Sequence, residues 1–350
     1  GNVQNKLLIG FDYYTSDVRN GSTGWVANGV VSLADGDDTG ILTQAGVDNL
    51  LINSTEGISS VESEVLSAYV LDVIDLTSSF SVLAGIRVDE FTWKGEENES
   101  QTAVSPKFGI VYKPLRGKVS VFGNYMNGFV NVAPGQVSDI DGTNTRTVVF
   151  EPEHANQYEF GIKTSLLDGK LSATASYYNI LVKNKVMTDP ENQFNSIQGG
   201  EVESKGIEFS VVANPVSGLN IIAGFSDNDS EVTKDNPASG YLGMRPEEAG
   251  PAQVANLWVN YTFRAGTIKG LGFGFGGNYA GEHKTLNRET TGTFTLPAYT
   301  VLNASLSYTG SQYGIILKVN NLTDEKYYSG WSTVTPQNLR NISLSLNYKF

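Results

Sequence analysis

The chain has 350 residues, enough for one large domain or two ordinary ones. Charged residues make up 17% of it, below the roughly 25% of a soluble globular protein. The formal net charge of −13 argues against nucleic acid as a partner, because nucleic acid needs a basic face. The absence of cysteine excludes disulfides, thiol catalysis and cysteine-based metal sites.

No stretch of about 18 apolar residues occurs, which excludes a transmembrane helix. The mean hydropathy of −0.19 by itself suggests a soluble protein. A membrane β-barrel gives a similar value, because only alternate residues face lipid and the others line a polar lumen. The first residues, Gly1 to Gln4, contain neither a start methionine nor a signal-peptide hydrophobic region, and we interpret them as a cut end.

Alternation of apolar and polar residues predicts strands along the whole chain. Many of these strands are longer than the roughly 5 to 6 residues of soluble sheets, and long enough for the roughly 9 to 11 residues that cross a bilayer at a tilt. About fourteen strands are predicted, at 5–16, 61–76, 79–93, 102–114, 117–130, 154–167, 170–185, 199–214, 218–229, 252–264, 270–282, 298–309, 312–321 and 340–350.

The last strand shows the pattern without an error. Its apolar residues are Ile342, Leu344, Leu346, Tyr348 and Phe350. Ser, Asn and Lys separate them, so one face is apolar and the other polar. A strand of a soluble sandwich reads the same way. In this chain, however, the polar positions are mostly Ser, Thr, Asn and Gly, and aromatic residues recur at strand ends, as in a lipid-facing barrel.

The predicted connections alternate between short and long. Short, turn-rich connections occur at 114–117, 167–170, 214–218 and 309–311. Long connections occur at 17–60, 131–153, 186–198, 230–251, 283–297 and 322–339. Outer-membrane barrels have short periplasmic turns and long extracellular loops. The sequence therefore predicts an all-β fold, an antiparallel transmembrane β-barrel, with residues 1–350 in one domain.

Several segments resemble the C-terminal barrel of TonB-dependent receptors. The run Asn320–Tyr328, Asn-Asn-Leu-Thr-Asp-Glu-Lys-Tyr-Tyr, is similar to the family's pattern near the penultimate strand, and Arg340 and the final strand follow it. Glu151–Glu153 with Gln157–Lys163, and Ser105–Gly109, resemble two further family patterns. The terminal aromatic residues Tyr348 and Phe350 resemble the signal for outer-membrane assembly.

One run indicates a subfamily. Gln198–Phe209, Gln-Gly-Gly-Glu-Val-Glu-Ser-Lys-Gly-Ile-Glu-Phe, resembles a strand of ferric-siderophore receptors, particularly of the ferrichrome and hydroxamate type. The resemblance implies a 22-stranded barrel of which this chain carries about the last fourteen strands. The signal peptide, the plug, the TonB box and the first strands are expected to be missing.

The resemblance also implies the function. We expect an outer-membrane receptor of a Gram-negative cell, embedded in lipid, that imports a ferric siderophore and has neither an enzymatic activity nor a cofactor. The TonB–ExbB–ExbD complex is expected to supply energy through the missing plug.

Aromatic faces with polar edges suit the apolar, carbonyl-studded surface of such a chelate. Candidate ligand contacts are therefore the aromatic residues at strand tops and in loops, of which Trp331 and Trp25 lie farthest into loops. The full set is Trp331, Trp25, Tyr327, Tyr328, Phe129, Tyr14, Trp93, Phe194 and Tyr241.

No catalytic or metal-binding constellation is predicted. His154 and His283 lack the spacing of metal ligands. Glutamates recur at 151, 153, 159, 201, 203 and 208. We expect them to face the lumen and to form ion pairs with Lys163, Lys205 and Arg87, or to contact the plug.

Three alternatives stay open. The first is a receptor of the same class for another cargo, such as a vitamin, heme or an oligosaccharide. The second is a passive fourteen-stranded porin. The third is a secreted adhesive β-protein, which would be recovered in the soluble fraction.

Overall fold

The computed structural model describes residues 3–22, 57–95, 98–192, 194–331 and 333–350, and strands dominate them. Two single-turn 3-10 helices occur at Pro237–Ser239 and Glu247–Ala249. Within the described ranges, no helix has the length and apolar character needed to cross a membrane. In chain order the strands are β1 (Gln4–Ser22), β2 (Gly57–Thr77), β3 (Phe80–Lys94), β4 (Glu99–Leu115), β5 (Val119–Val130), β6 (Gly135–Val137), β7 (Arg146–Val148), β8 (Glu153–Leu166), β9 (Leu171–Thr188), β10 (Ser196–Ala213), β11 (Leu219–Lys234), β12 (Gln253–Thr262), β13 (Leu271–Ala280), β14 (His283–Arg288), β15 (Gly292–Leu296), β16 (Tyr299–Thr309), β17 (Tyr313–Asn320), β18 (Tyr328–Ser329), β19 (Thr335–Pro336) and β20 (Asn341–Tyr348).

Fourteen of these strands form one sheet, in the order β1-β2-β3-β4-β5-β8-β9-β10-β11-β12-β13-β16-β17-β20. Every neighbouring pair is antiparallel, and the order of the fourteen strands in the sheet follows their order along the chain, so the sheet is a meander. We call it the wall. The other six strands form the hairpins β6–β7, β14–β15 and β18–β19, which lie in long connections. Each predicted strand corresponds to one wall strand, which confirms the predicted strand count.

The register places the apolar rows on one continuous face. Residues directly opposite each other in an antiparallel pair lie on the same side of the sheet. Phe160 pairs with Tyr177, Tyr177 with Ile207, and Phe209 with Phe225. The same relation carries the row through to the last pair, where Leu317 meets Leu344. We call this the apolar face and the opposite one the polar face.

The apolar face is open to the surroundings. Phe11 is 77% exposed, Phe160 58% and Ile342 68%. Among the described residues, buried apolar side chains are few: Ala103, Val137, Phe150, Ala213, Val232, Ala280, Leu296 and Val301. The rows of Leu, Ile, Phe and Tyr therefore do not meet one another in a water-surrounded core. An exposed apolar surface of this extent marks a membrane or protein contact.

The connections separate the two ends of the wall. The connections that join β2 to β3, β4 to β5, β8 to β9, β10 to β11, β12 to β13 and β16 to β17 lie at one end of the wall, which we call the turn end. The connections between the other neighbouring wall strands lie at the opposite end, the loop end, and include the longest ones. Gly218 illustrates why a turn needs glycine: its φ is +91°, and a Cβ there would lie 2.1 Å from the carbonyl oxygen of Thr262.

Several strands run farther toward the loop end than the sequence predicts. β11 continues to Lys234, where 229 was the predicted limit, and β10 begins at Ser196, where 199 was predicted. The reason is that apolar alternation stops before the strand does. Asp227 and Asp229 follow Phe225 on the same face of β11, so hydropathy no longer marks the strand although the hydrogen-bonded ladder continues.

The prediction that Glu203 and Lys205 face the lumen is wrong. No register shift separates Val202 from Ala213, so Glu203 and Lys205 lie on the same face as Phe209, the apolar face. Lys205 contacts Glu203 at 3.8 Å and Asp229 at 3.6 Å. These charged residues lie on the apolar face, but closer to the loop end than its rows of apolar side chains, because β10 and β11 extend farther toward that end than those rows do.

Arg87 does lie on the polar face, but its partners differ from those predicted. Its guanidinium contacts Asp12 and Asp89, both at 2.8 Å, and stands 5.4 Å from the centre of the Tyr69 ring. Lys163 also lies on this face, where its ammonium is 5.0 Å from the centre of the Phe122 ring. The polar face of β1–β8 is thus charged and aromatic together.

Candidate functional site

A cavity of about 300 Å³ lies at the loop end of the wall. The ends of β9, β10 and β11, the connection 235–252 and Trp331 surround it. We call it the mouth cavity. The apolar part of its lining includes Val186, Met187, Val202 and Val232. Residues far apart in the sequence are thus brought to one site by the meander and by two long connections.

The connection 235–252 folds back onto β11. The amide of Val232 donates to the carbonyl of Met244 at 2.9 Å, and the amide of Gly243 donates to the carbonyl of Val232 at 2.9 Å. Asn236, which is 6% exposed, starts the first 3-10 turn by accepting a hydrogen bond from the amide of Ala238 at 2.9 Å. These bonds fix the path of the chain on both sides of Tyr241.

Arg245 ties the same connection to the wall. Its guanidinium donates to the backbone carbonyl of Asn228 at 2.8 Å and to the side-chain oxygen of Asn228 at 2.9 Å. It also donates to the carbonyl of Gly250 at 3.1 Å. Burial lowers the pKa of Arg245 from its ordinary value. Asn228 in turn donates to the hydroxyl of Tyr178 on β9 at 2.8 Å, so the network reaches across three strands.

Glu247 fastens the connection to the β14–β15 hairpin. Its carboxylate accepts from the amide of Asn287 at 3.1 Å and from Nε of Arg288 at 3.3 Å. Its carbonyl accepts from Nε2 of His283 at 2.8 Å, since a carbonyl oxygen can only accept. Glu247, Asn287 and His283 are all buried. The result is a rigid polar cluster behind the mouth cavity.

Tyr241 links this cluster to the cavity. The guanidinium carbon of Arg288 stands 4.7 Å from the centre of the Tyr241 ring, a cation–π contact. Burial is the main cause that raises the pKa of Tyr241 above its ordinary value, and the carboxylate of Glu247 acts in the same direction. The phenol therefore remains protonated at physiological pH and keeps its hydroxyl hydrogen for donation.

Trp331 approaches from the connection 321–340. Asn321 shapes that connection: it is 2% exposed, has a φ of +53°, and donates to the carbonyls of Glu325 and Asn338. Tyr327 packs on Tyr299 with the ring centres 4.4 Å apart. Trp331 itself is 50% exposed. About half of its surface therefore stays free for contact.

Each cation that lines the mouth cavity has a carboxylate partner. Lys234 contacts Glu201 at 2.7 Å, and Lys185 contacts Glu248 at 3.7 Å. Asp235 accepts from the hydroxyl of Ser239 at 2.6 Å and from the amide of Asn236 at 2.8 Å. Both lysine ammonium groups thus already have a carboxylate partner.

The structure separates the predicted aromatic contacts. Tyr241 and Trp331 line the mouth cavity together. Phe129 instead packs edge-on against Phe91 at 5.6 Å. Trp25 lies outside the described residues. The remaining candidates lie elsewhere: Tyr14 and Trp93 on β1 and β3, Phe194 in the connection 189–195, Tyr327 against Tyr299, and Tyr328 on β18.

Most of the charged lining residues carry no sequence signal of their own. Glu201 is among the predicted lumen carboxylates, Lys185 ends a predicted strand, and Lys234, Asp235 and Glu248 fall in the predicted connection 230–251. Their proximity depends on loop contacts across tens of residues, which periodicity does not report. Composition gives no hint of the mouth cavity either.

Two larger cavities, of about 530 and 420 Å³, lie at mid-wall. All of their lining residues belong to wall strands, among them Tyr69, Arg87 and Lys107 on the polar face. They are grooves between neighbouring strands. Another cavity, of about 620 Å³, is lined by the connections 131–152 and 189–195. The mouth cavity differs from these three because wall strands and long connections line it together.

Both histidines make ordinary polar contacts. His154 Nδ1 lies 3.3 Å from the side-chain oxygen of Asn127, and His283 holds the carbonyl of Glu247. In the part of the chain that the structure describes, no three His, Asp or Glu side chains are grouped so as to hold a metal ion. At the C-terminus the rings of Tyr348 and Phe350 pack edge-on at 5.2 Å. Their role in assembly stays a prediction.

A family model with the description "TonB dependent receptor-like, beta-barrel" matches residues 1–322. The chain is 30% identical over 243 residues to the ferrichrome outer membrane transporter/phage receptor of Escherichia coli K12, covering 68% of this chain and 29% of that protein. It is 28% identical over 309 residues to the metal-pseudopaline receptor CntO of Pseudomonas aeruginosa, covering 83% of this chain and 41% of that receptor. The chain therefore spans less than half the length of either relative.

Solved structures show the same fold. The siderophore receptor PiuA from Acinetobacter baumannii superimposes with a TM-score of 0.76 at 20% identity, covering 99% of this chain and 53% of that one. The ferripyoverdine receptor of Pseudomonas aeruginosa gives a TM-score of 0.71 at 20% identity, covering 85% of this chain and 40% of that one. These likenesses confirm the predicted β-barrel fold class.

Proposed function

The chain belongs to the TonB-dependent receptor β-barrel family, and we propose that it is part of an outer-membrane receptor that binds and imports a ferric siderophore of the hydroxamate type. The family consists of receptors and transporters of the Gram-negative outer membrane rather than enzymes. The wall lies in that membrane with its apolar face toward lipid. The loop end is then extracellular and the turn end periplasmic.

One observation carries the proposal: Tyr241 and Trp331 line a single cavity at the extracellular end of the wall. A hydroxamate chelate presents apolar edges and carbonyl oxygens around its iron. Aromatic faces bury the edges, and the phenol of Tyr241 and the ammonium groups of Lys185 and Lys234 can donate hydrogen bonds. The protein thus holds the chelate without touching the metal.

The size of the cavity limits what it holds. Its volume of about 300 Å³ is at the lower end of the roughly 300–1,000 Å³ of small-molecule sites. One edge or arm of a ferric siderophore fits there, and the rest of the receptor supplies the remaining contacts. Energy coupling through the TonB–ExbB–ExbD complex and a plug is part of the same proposal.

The relatives support an iron chelate as the cargo. One relative is the ferrichrome transporter of Escherichia coli, and another is a ferrioxamine B receptor of Salmonella typhimurium. A second candidate is a different metal chelate, favoured by the longer alignment to the metal-pseudopaline receptor. Vitamin and oligosaccharide cargoes have no such support among these relatives.

The test is a binding titration of the full-length receptor with ferrichrome, followed by iron quenching of tryptophan fluorescence or by calorimetry. Trp331→Ala should weaken binding by about tenfold or more, since burying an aromatic face contributes roughly 1.5–3 kcal/mol. Phe294→Ala is the matched control: Phe294 is 56% exposed and does not line the mouth cavity, so the affinity of this variant should be unchanged. Absence of measurable hydroxamate binding by the full-length receptor would refute the proposal.

A further inference from the structure

The mouth cavity carries information about the charge of its ligand. Its ionisable lining consists of Lys185 and Lys234 against Glu201, Asp235 and Glu248. Two cations and three carboxylates give a formal charge of −1. A ligand in the cavity lies next to these ionised groups, so its own charge affects how tightly it binds.

Each lysine already has a carboxylate partner, so neither offers an unneutralised positive charge to an anion. Lys234 holds Glu201 at 2.7 Å, with the glutamate side chain only 17% exposed. An anionic ligand arm that reached the ammonium of Lys234 would also meet the carboxylate of Glu201, and the two negative charges would repel each other. The weaker contact, between Lys185 and Glu248 at 3.7 Å, would open more easily but would expose a second carboxylate to the same anion.

A cation meets no such obstacle. Asp235 has no cation partner among the described contacts; its two oxygens accept from an amide and a hydroxyl and can still accept from a further donor. Glu248 is 52% exposed. The Tyr241 ring already takes a cation on one face, from Arg288, and the half-exposed Trp331 offers a further aromatic face.

We infer that the mouth cavity receives a ligand arm that is neutral or ends in an ammonium group, and that it rejects an arm ending in a carboxylate. The inference rests on the proposed function, because it concerns the same site. It assigns Asp235 and Glu248 to the discrimination of charge and the aromatic pair to the contact itself.

The experiment uses three ferric complexes that share one metal centre. In a linear trihydroxamate the three hydroxamates cancel the charge of Fe(III), so a pendant amine makes the complex +1. Its N-acetyl derivative is neutral and its N-succinyl derivative is −1. Each is titrated into the full-length receptor at low and at high salt.

We expect the ammonium and acetyl complexes to bind at least about tenfold more tightly than the succinyl complex at low salt, a difference that shrinks as salt screens the charges. Asp235→Asn and Glu248→Gln should each reduce that preference by about threefold, measured as the ratio of the acetyl and succinyl affinities within each variant. Heat-modifiable migration of each variant in gels shows independently that it is folded. Glu191→Gln, an exposed acid outside the mouth cavity, should leave all three affinities as they are.

The outcomes separate the two claims. If the acetyl complex binds and the succinyl complex binds as tightly or more tightly, the charge rule is overturned and the proposed function stands. If none of the three complexes binds, the proposed function fails and the charge rule fails with it. An effect of Glu191→Gln equal to that of Asp235→Asn would also overturn the rule, because it would show a general surface effect.

Discussion

Replacement of Glu247 by alanine tests whether the polar cluster holds the extracellular connections in place. The carboxylate is 9% exposed and accepts from the amide of Asn287 and from Arg288. Loss of a hydrogen bond to a charged group, together with a buried amide left unpaired, costs about 3 kcal/mol. Arg288 is 38% exposed, so water can solvate its charge and we add nothing for it. The local opening equilibrium of 235–252 should rise by roughly a hundredfold.

The assay is amide hydrogen exchange of the full-length receptor, read from peptides that cover 235–252 and 283–296. Exchange in both should accelerate together, while peptides from mid-wall strands stay protected. Glu248→Ala is the matched control: its side chain is 52% exposed and its ion pair with Lys185 spans 3.7 Å, so we expect less than about 0.5 kcal/mol. Wild-type protection in Glu247→Ala, or a larger effect in Glu248→Ala, would contradict the reasoning.

The remaining predictions concern the wall, the second connection and the cavity. Val211→Lys places a charge deeper on the apolar face and should lower the amount of heat-modifiable receptor in the outer membrane, by a destabilisation of about 2–4 kcal/mol near mid-bilayer, whereas Ser210→Lys on the polar face should not. Asn321→Ala removes a buried side chain at a position with positive φ and should lower the local stability of the connection 321–340 by about 2 kcal/mol. Protease should then cleave within 321–340 faster than in the wild type, and equal cleavage rates would contradict the anchoring role of Asn321. The pKa of Tyr241 is higher in the folded protein than its ordinary value of 10.0, so the protonated phenol contributes to folding stability. This contribution is complete below pH 10.0 and is lost as the pH rises through the pKa of the folded protein. Affinity of the wild type relative to Tyr241→Phe should thus be constant from about pH 6 to pH 9 and fall above about pH 10.

The wall could be predicted from the sequence because each strand carries its own evidence. Ile342, Leu344 and Leu346 alternate with polar residues, and the structure pairs them with Val319, Leu317 and Ile315 on one face. In a membrane wall the partner of each apolar side chain is lipid, so no long-range packing partner must be guessed. Local alternation is then sufficient to predict the strand and its orientation.

The mouth cavity could be predicted only in part. Aromatic residues in loops are a visible signal, and two of the nine residues that it selects, Tyr241 and Trp331, line the cavity. The contacts that position them are not local. Glu247 meets Asn287 forty positions away in sequence, and Arg245 binds Asn228 from the far side of a connection. No periodicity reports such pairs, since loop positions repeat at no fixed interval.

The charged strand ends also fix the depth of the site. Lys205 and Glu203 share a face with Ile207, and charged side chains are unfavourable in hydrocarbon even when they pair, so the upper boundary of the apolar layer lies near Ile207. Glu201 is six residues beyond Ile207, or about 20 Å along the strand at roughly 3.3 Å per residue. With a strand tilt of about 35–45°, the mouth cavity stands about 15 Å above the hydrocarbon. A ligand of the proposed kind therefore reaches the cavity from water without crossing lipid. The ion pairs that line the cavity are in contact with water and dissolved ions. Any discrimination by charge at this site must therefore weaken as the salt concentration rises.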